Sequence, residues 1–250
     1  KREVVKVLTV GYLPPLAMAG IVAALVLKQP DLGTAAVLGS VTLVMLFVAG
    51  TRMSYLLLTT LVLAPVAYQQ IVGTSWRLRR VLAFLDPIGH RHDAGYQIYE
   101  SFLSLGSGGL LGQGLGAGKQ KLRYLPAAHT DFILAQVGEE LGFLGLAGVV
   151  LLYFLVLLRG VRAAVGARDL FSSYLAFGVT ATLSLQAVLH MCVVLGMVPT
   201  KGITLPLMSY GGSALVSTCF SMGVLLNVAA RKPEPPPLKL RLRRSRTANR

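Results

Sequence analysis

Charge is scarce in this chain, and acidic charge is scarcest. Asp, Glu, Lys and Arg make up 14% of its 250 residues, against about a quarter in a soluble domain, which excludes an ordinary water-soluble globule. Only 10 residues are acidic against 24 basic, so each carboxylate bordering an apolar stretch needs a reason to be there. There are two cysteines, Cys192 and Cys219, both inside apolar runs. Two such residues exclude a disulfide-built scaffold and read as small buried apolar side chains. No glycine-rich stretch ends in Gly-Lys-Ser/Thr, which removes a P-loop nucleotide site. An initiator Met and a signal peptide are also lacking, and a chain that opens on Lys1 is expected to be a piece of a longer protein.

What is present is apolar length. Six runs, at 7–27, 34–49, 55–72, 132–158, 171–195 and 210–229, approach or exceed the ~20 residues needed to cross a bilayer. The expected fold class is therefore all-α, a polytopic transmembrane bundle of six spans. Pro14-Pro15 should kink the first span or delay its start. Six crossings place both ends of the chain on one side, and Lys1, Arg2, Arg52, Arg159, Arg162, Arg168 and the basic tail fall on that side, which should be the cytoplasm. Residues 1–230 form the membrane region and 231–250 a disordered basic tail, suited to anionic lipid or a cytoplasmic partner. The net charge of +14 follows helix ends and the tail, where 8 of the basic residues lie, so a nucleic-acid partner is not expected.

The stretch 73–130 is then an external loop. Tyr96, Ile98, Phe102, Leu103 and Leu105 predict a short amphipathic helix in the interface. The glycine-dense run 106–118 allows close backbone approach, either as a hinge or as a cradle of N–H groups for a diphosphate headgroup. A basic segment carrying Lys119, Lys121 and Arg123 leads to His129 and Asp131, and Asp131 opens the fourth apolar run, with Glu139 and Glu140 further in. Asp131 suits either a helix N-cap or a catalytic carboxylate. His129 suits a hydrogen-bonded loop position better than a metal ligand. A second outer segment, 196–213, has two prolines and paired glycines beside Lys201 and predicts broken backbone packed in protein or lining a wet cavity. Ser209, Tyr210 and Ser213 are read as holding that backbone. A third segment, Gln29-Pro-Asp-Leu-Gly-Thr34, lies at the outer end of the first span. These segments share a face with Asp131, so a common external cavity is the economical reading.

Taken in order, Gln-Pro-Asp-Leu-Gly-Thr, Gly-Ser-Gly-Gly-Leu, Lys-Gln-Lys, His-Thr-Asp-Phe-Ile, Gly-Glu-Glu-Leu-Gly and Pro-Thr-Lys-Gly…Leu-Pro-Leu-Met-Ser-Tyr-Gly-Gly-Ser resemble the shape, elongation, division and sporulation (SEDS) family of peptidoglycan polymerases. Pro199-Thr-Lys-Gly202 is more similar to the division branch than to the elongation branch. The resemblance covers nearly all of the chain except the tail, and matches the C-terminal six of about ten spans. Two positions depart from it: Ala127 where the family commonly has Glu, and His190 where the division branch commonly has Asn.

The resemblance implies a glycosyltransferase that polymerises lipid II into glycan strands at the outer face of the bacterial cytoplasmic membrane, at the division septum, releasing undecaprenyl diphosphate. Its implied partners are lipid II, the nascent strand, membrane lipid, a class B penicillin-binding protein transpeptidase and other divisome proteins. A sugar hydroxyl needs a general base, and Asp131 is the candidate. Glu139 lies about 12 Å further along a helix, so Asp131 is read as acting alone, with inversion at the anomeric carbon. The departing diphosphate needs cations: Lys121, Arg123, Lys201, or a divalent ion such as Mg or Mn. His129, Ser209, Gly211, Gly212 and Ser213 are the remaining substrate-binding candidates. Metal ligands are not assigned, and no organic cofactor is expected. A lipid-linked precursor transporter and a non-catalytic scaffold recruiting a transpeptidase are the competing readings.

Overall fold

The computed structural model describes residues 7–118 and 129–231. Those residues form helices and turns with no strand among them. A π-helical turn, Leu8–Tyr12, leads into α1 (Leu13–Lys28). There follow α2 (Leu32–Val48), α3 (Met53–Val72), α4 (Ser75–Leu85), α5 (Tyr96–Gly108), α6 (Ile133–Val165), α7 (Leu170–Val194) and α8 (Gly212–Ala230). By length and composition, five helices can cross a bilayer: Leu8–Lys28, α3, α6, α7 and α8. The remaining expected span, α2, has 17 residues and reaches about 25 Å. The chain is thus an all-helical, multi-pass membrane protein.

Local chemistry explains the helix ends. Pro14 and Pro15 occupy the first turn of α1, where a missing N–H costs nothing, so the α-helix proper starts late. Asp31 caps α2, accepting from the Thr34 N–H at 2.9 Å and the Thr34 hydroxyl at 2.6 Å. Asp169 caps α7 in the same way through Ser172. Large apolar side chains such as Met18, Leu61, Val216 and Phe220 stay exposed, as expected where the solvent is hydrocarbon. Inside the bundle, small residues allow close crossing: a Cβ on Gly160 of α6 would run into the Thr180 side chain of α7. One apolar cluster, of Phe132, Leu134, Ala135, Ala187, Val193, Val194 and Leu205, lies where α6 begins and α7 ends. It forms the floor on which the outer segments rest.

The long loop is more ordered than its sequence implies. It contains the expected α5 and also α4, whose three arginines hide its apolar face. Nor is α5 a free interfacial helix. Its buried face carries Ile98, Glu100, Ser101 and Ser104. Ser101 donates to the Val194 carbonyl at 2.8 Å, and Ser104 to the Ala135 carbonyl and to Glu139, each at 3.3 Å. These bonds fasten α5 to α6 and α7.

The glycines at 108–118 close a different structure from a phosphate cradle. Gly142 has φ 65° and breaks α6, where close helix packing alone would have kept it helical. The glycine run fits into the break. Gln113 and Gly114 donate N–H groups to the Glu139 and Glu140 carbonyls, while Phe143 and Leu144 donate to the Gly109 and Leu110 carbonyls. The Gly116 N–H goes to the Glu140 carboxylate at 2.9 Å. Backbone freed by the break is thereby satisfied within the protein.

Candidate functional site

At one end of the bundle the helices converge on a cavity of about 480 Å³. The α1–α2 turn gives Pro30 and Asp31, α4 gives Trp76, Arg77 and Arg80, the start of α6 gives Asp131, and the α7–α8 segment gives Thr200, Lys201 and Gly202. Parts of the three segments expected to share a face with Asp131 line this one cavity with it.

Asp131 stands just before α6. The N-cap position is Phe132, and no side chain caps the helix, so Asp131 is not spent as a cap. The carboxylate approaches the α7–α8 segment closely enough that a Cβ on Gly202 would lie 3.0 Å from Oδ2. Burial holds the Asp131 carboxyl above the usual carboxylate range. A hydrogen bond from the Thr130 side chain and the charges of His190 and Arg80 act against that rise without cancelling it. Burial likewise pushes the Lys201 ammonium below the usual lysine range; Asp31 opposes this and Arg77 adds to it. A carboxylate that accepts a proton more readily than usual and a cation thus line one space.

Helix α4 supplies the cations that sequence reasoning missed. Arg77 is buried, donating to the Gln70 carbonyl at 2.8 Å, to the Gln70 side chain at 2.9 Å and to the Pro30 carbonyl at 3.1 Å. It ties α4 to α3 and to the α1–α2 turn. Arg80 points toward the α7–α8 segment, donating to the Thr200 carbonyl at 3.5 Å. Both guanidinium carbons lie 5.1 Å from the centre of the Trp76 ring, a cation–π arrangement that steadies two like charges near each other. The amphipathic spacing of 75–85 was the available signal.

The other expected residues divide. His129, Ser209, Gly211 and Gly212 line a second cavity of about 580 Å³, with Ile133, Met208 and Tyr210. Ser213 is exposed and lines neither. Lys121 and Arg123 lie outside the described residues, as do Lys119 and Ala127. Ser209 plays a structural part. Its hydroxyl accepts from the Leu205 N–H at 2.7 Å and donates to the Thr130 carbonyl at 2.6 Å. With the Tyr210 N–H bonded to the His129 carbonyl at 2.9 Å, it fixes the loop that presents Asp131. Among the described residues, no group of three or more His, Cys, Asp or Glu side chains gathers to hold a metal.

Comparison with known proteins agrees with this architecture. The family model described as "Cell cycle protein", covering FtsW, RodA and SpoVE, matches residues 1–234. A probable peptidoglycan glycosyltransferase FtsW of Geobacter sulfurreducens is 45% identical over 94% of this chain, and that of Geobacter metallireducens is 46% identical over the same share. The chain spans 63% of the length of each of these relatives. Among solved structures, one described as "Structural coordination of polymerization and crosslinking by a peptidoglycan synthase complex" matches with a TM-score of 0.70 at 30% identity, covering 91% of this chain and 64% of that one. The crystal structure of the rod shape determining protein RodA of Thermus thermophilus matches with a TM-score of 0.58 at 28% identity, covering 94% and 62%. The helices, the outer cavity and these matches lead to one conclusion: the chain belongs to the FtsW/RodA/SpoVE family.

Proposed function

We propose that this chain carries the polymerising centre of a peptidoglycan glycosyltransferase acting in cell division, with lipid II as substrate and undecaprenyl diphosphate as the released product. The observation that carries the reading is the half-buried Asp131 in a cavity it shares with Lys201 and Arg80. The naming of the relatives as FtsW glycosyltransferases supports the same reaction.

Asp131 takes the proton from the acceptor sugar hydroxyl as that oxygen attacks the anomeric carbon. The bond from that carbon to the diphosphate oxygen breaks, and configuration inverts. A base with a raised pKa is the better proton acceptor, provided it is ionised at working pH. The leaving diphosphate is already an anion, so it needs positive charge rather than a proton. Lys201 and Arg80 supply that charge from the cavity wall, and Lys121 and Arg123 add to it from the preceding segment. His129, Gly211 and Gly212, around the second cavity, contact the lipid-linked sugar or the growing strand, and Ser213 joins them from the first turn of α8. A divalent ion such as Mg or Mn would find Asp131 and Asp31 as carboxylates in the cavity. It would take most of its shell from substrate oxygens and water and neutralise diphosphate charge there. The partner is a class B penicillin-binding protein transpeptidase, consistent with the synthase complex among the structural matches. The place of action is the septal inner membrane, with the C-terminus cytoplasmic.

The test uses purified full-length protein with its partner, lipid II and Mg or Mn, in wild-type and Asp131→Ala forms. Glycan strands from the wild type and none from the variant are expected. Equal polymer from both would remove Asp131 from the chemistry. Lipid movement across a vesicle without polymer would favour a transporter.

A further inference from the structure

The α7–α8 segment reaches Asp131 through one tight turn. The Ile203 N–H donates to the Lys201 carbonyl at 3.0 Å, closing three residues with Gly202 at the apex. A Cβ at that apex would stand 3.0 Å from the Asp131 Oδ2. Behind the turn stands His190 of α7, fully buried, with Nδ1 2.7 Å from the Ile203 carbonyl. A carbonyl can only accept, so Nδ1 carries the proton and donates. Nε2 is buried and has no partner among the described residues. An unpaired ring nitrogen in the core is costly, so the imidazole owes its presence to the Nδ1 bond.

Two clamps therefore meet here. Ser209 fixes the loop bearing Asp131, and His190 fixes the turn bearing Lys201. We infer that His190 is a positioning residue for transfer, its Nδ1–H holding the Lys201–Ile203 turn so that the cation and the base keep their mutual placement. The inference rests on the reading of Asp131 as the base. His190 touches neither substrate nor the reacting atoms. It acts through the turn. Loosening the turn should leave substrate capture nearly intact and slow the chemical step, because displacement of about 1 Å costs on the order of 100-fold in rate.

The experiment compares wild type with His190→Asn, His190→Gln and His190→Leu in full-length protein with its partner and lipid II, and records kcat, KM and the melting temperature of each. The Asn amide nitrogen falls where Nδ1 lies, and the Gln amide nitrogen falls nearer Nε2. Asn is expected to keep kcat within about threefold of wild type, while Gln and Leu lose about 10- to 100-fold in kcat with KM changed less than about threefold. Wild-type kcat in His190→Leu, equal rescue by Gln and Asn, or a loss confined to KM would overturn the inference. Should His190→Leu fail to fold, the Asn and Gln pair alone decides it. Asp131→Asn is measured alongside: polymer from that variant would overturn the base reading itself, whereas an inactive Asp131→Asn beside a fully active His190→Leu would overturn only this inference.

Discussion

Asp131 is costly where it stands. A carboxyl held above its ordinary range by burial destabilises the fold once it ionises, so its contribution to stability is lost as pH rises through the folded-state pKa. Replacing it with Asn should thus abolish polymerisation, by about 100-fold or more, while the protein melts at the same or a higher temperature at neutral pH. A lower melting point for Asp131→Asn would indicate a structural carboxylate. Lys201 makes the complementary case. Its Ala variant should lower kcat about 10- to 100-fold, the scale of a lost charge-assisted contact to the leaving diphosphate, as measured by initial rates at saturating lipid II. Asp131 and Lys201 are legible in the sequence because each interrupts apolar or turn-forming surroundings with a lone charge. Arg80 is not, since it sits among Arg77 and Arg79 in what reads as an ordinary basic loop. What separates it is the turn of α4, which aims Arg80 at Thr200 and buries Arg77 against Pro30.

At the level of elements, α6 depends on its break. About 25 Å of helix separates Gly142 from Arg159, close to the thickness of the hydrocarbon core, which puts the break near one edge of that core. The glycine run enters there and pairs with both sides of the gap. A Cβ on Gly142 would collide with the Gly112 nitrogen and stand 2.6 Å from the Leu110 carbonyl oxygen, on a residue with positive φ. Gly142→Ala should therefore destabilise the protein by about 2 kcal/mol or more, read as a lower melting temperature in nanodiscs. An unchanged melting curve would contradict the fit of the glycine run into the break. The sequence makes the density of glycine plain but not its partner, because pairing between residues 109–114 and 139–144 is a tertiary event with no local signature. The six apolar helices were readable for the opposite reason: each carries its own signal in length and hydropathy. The order within 73–118 was legible only in part: α5 announces itself by its apolar side chains, whereas α4 and the burial of polar groups such as Arg77, Glu100 and Ser104 do not.

Across the whole molecule, the alternation of spans sorts the loops onto two faces, and the site depends on that sorting. Pro30, Trp76, Asp131 and Lys201 meet at one end of the bundle. Asp169 feels the charge of Arg231 at the other end. With Cys192 and Cys219 replaced by Ala, a cysteine at Leu111 should react with an impermeant thiol reagent on intact cells, and one at Val165 only after permeabilisation. Both positions are exposed. The reverse pattern would invert the orientation and place Asp131 away from any outer-leaflet substrate. Two features of the assembled bundle act on Asp131: burial raises its pKa, and positive charge from a different helix limits that rise.

The pH dependence of the initial polymerisation rate, in wild type and Arg80→Gln, tests this most directly. With Asp131 as the proposed base, the rate should fall as pH drops through a pKa above the ordinary aspartate range. Removing the Arg80 charge should move that acid limb to still higher pH. An acid limb at the pH of an ordinary aspartate, or one that stays in place when Arg80 is changed, would contradict the account.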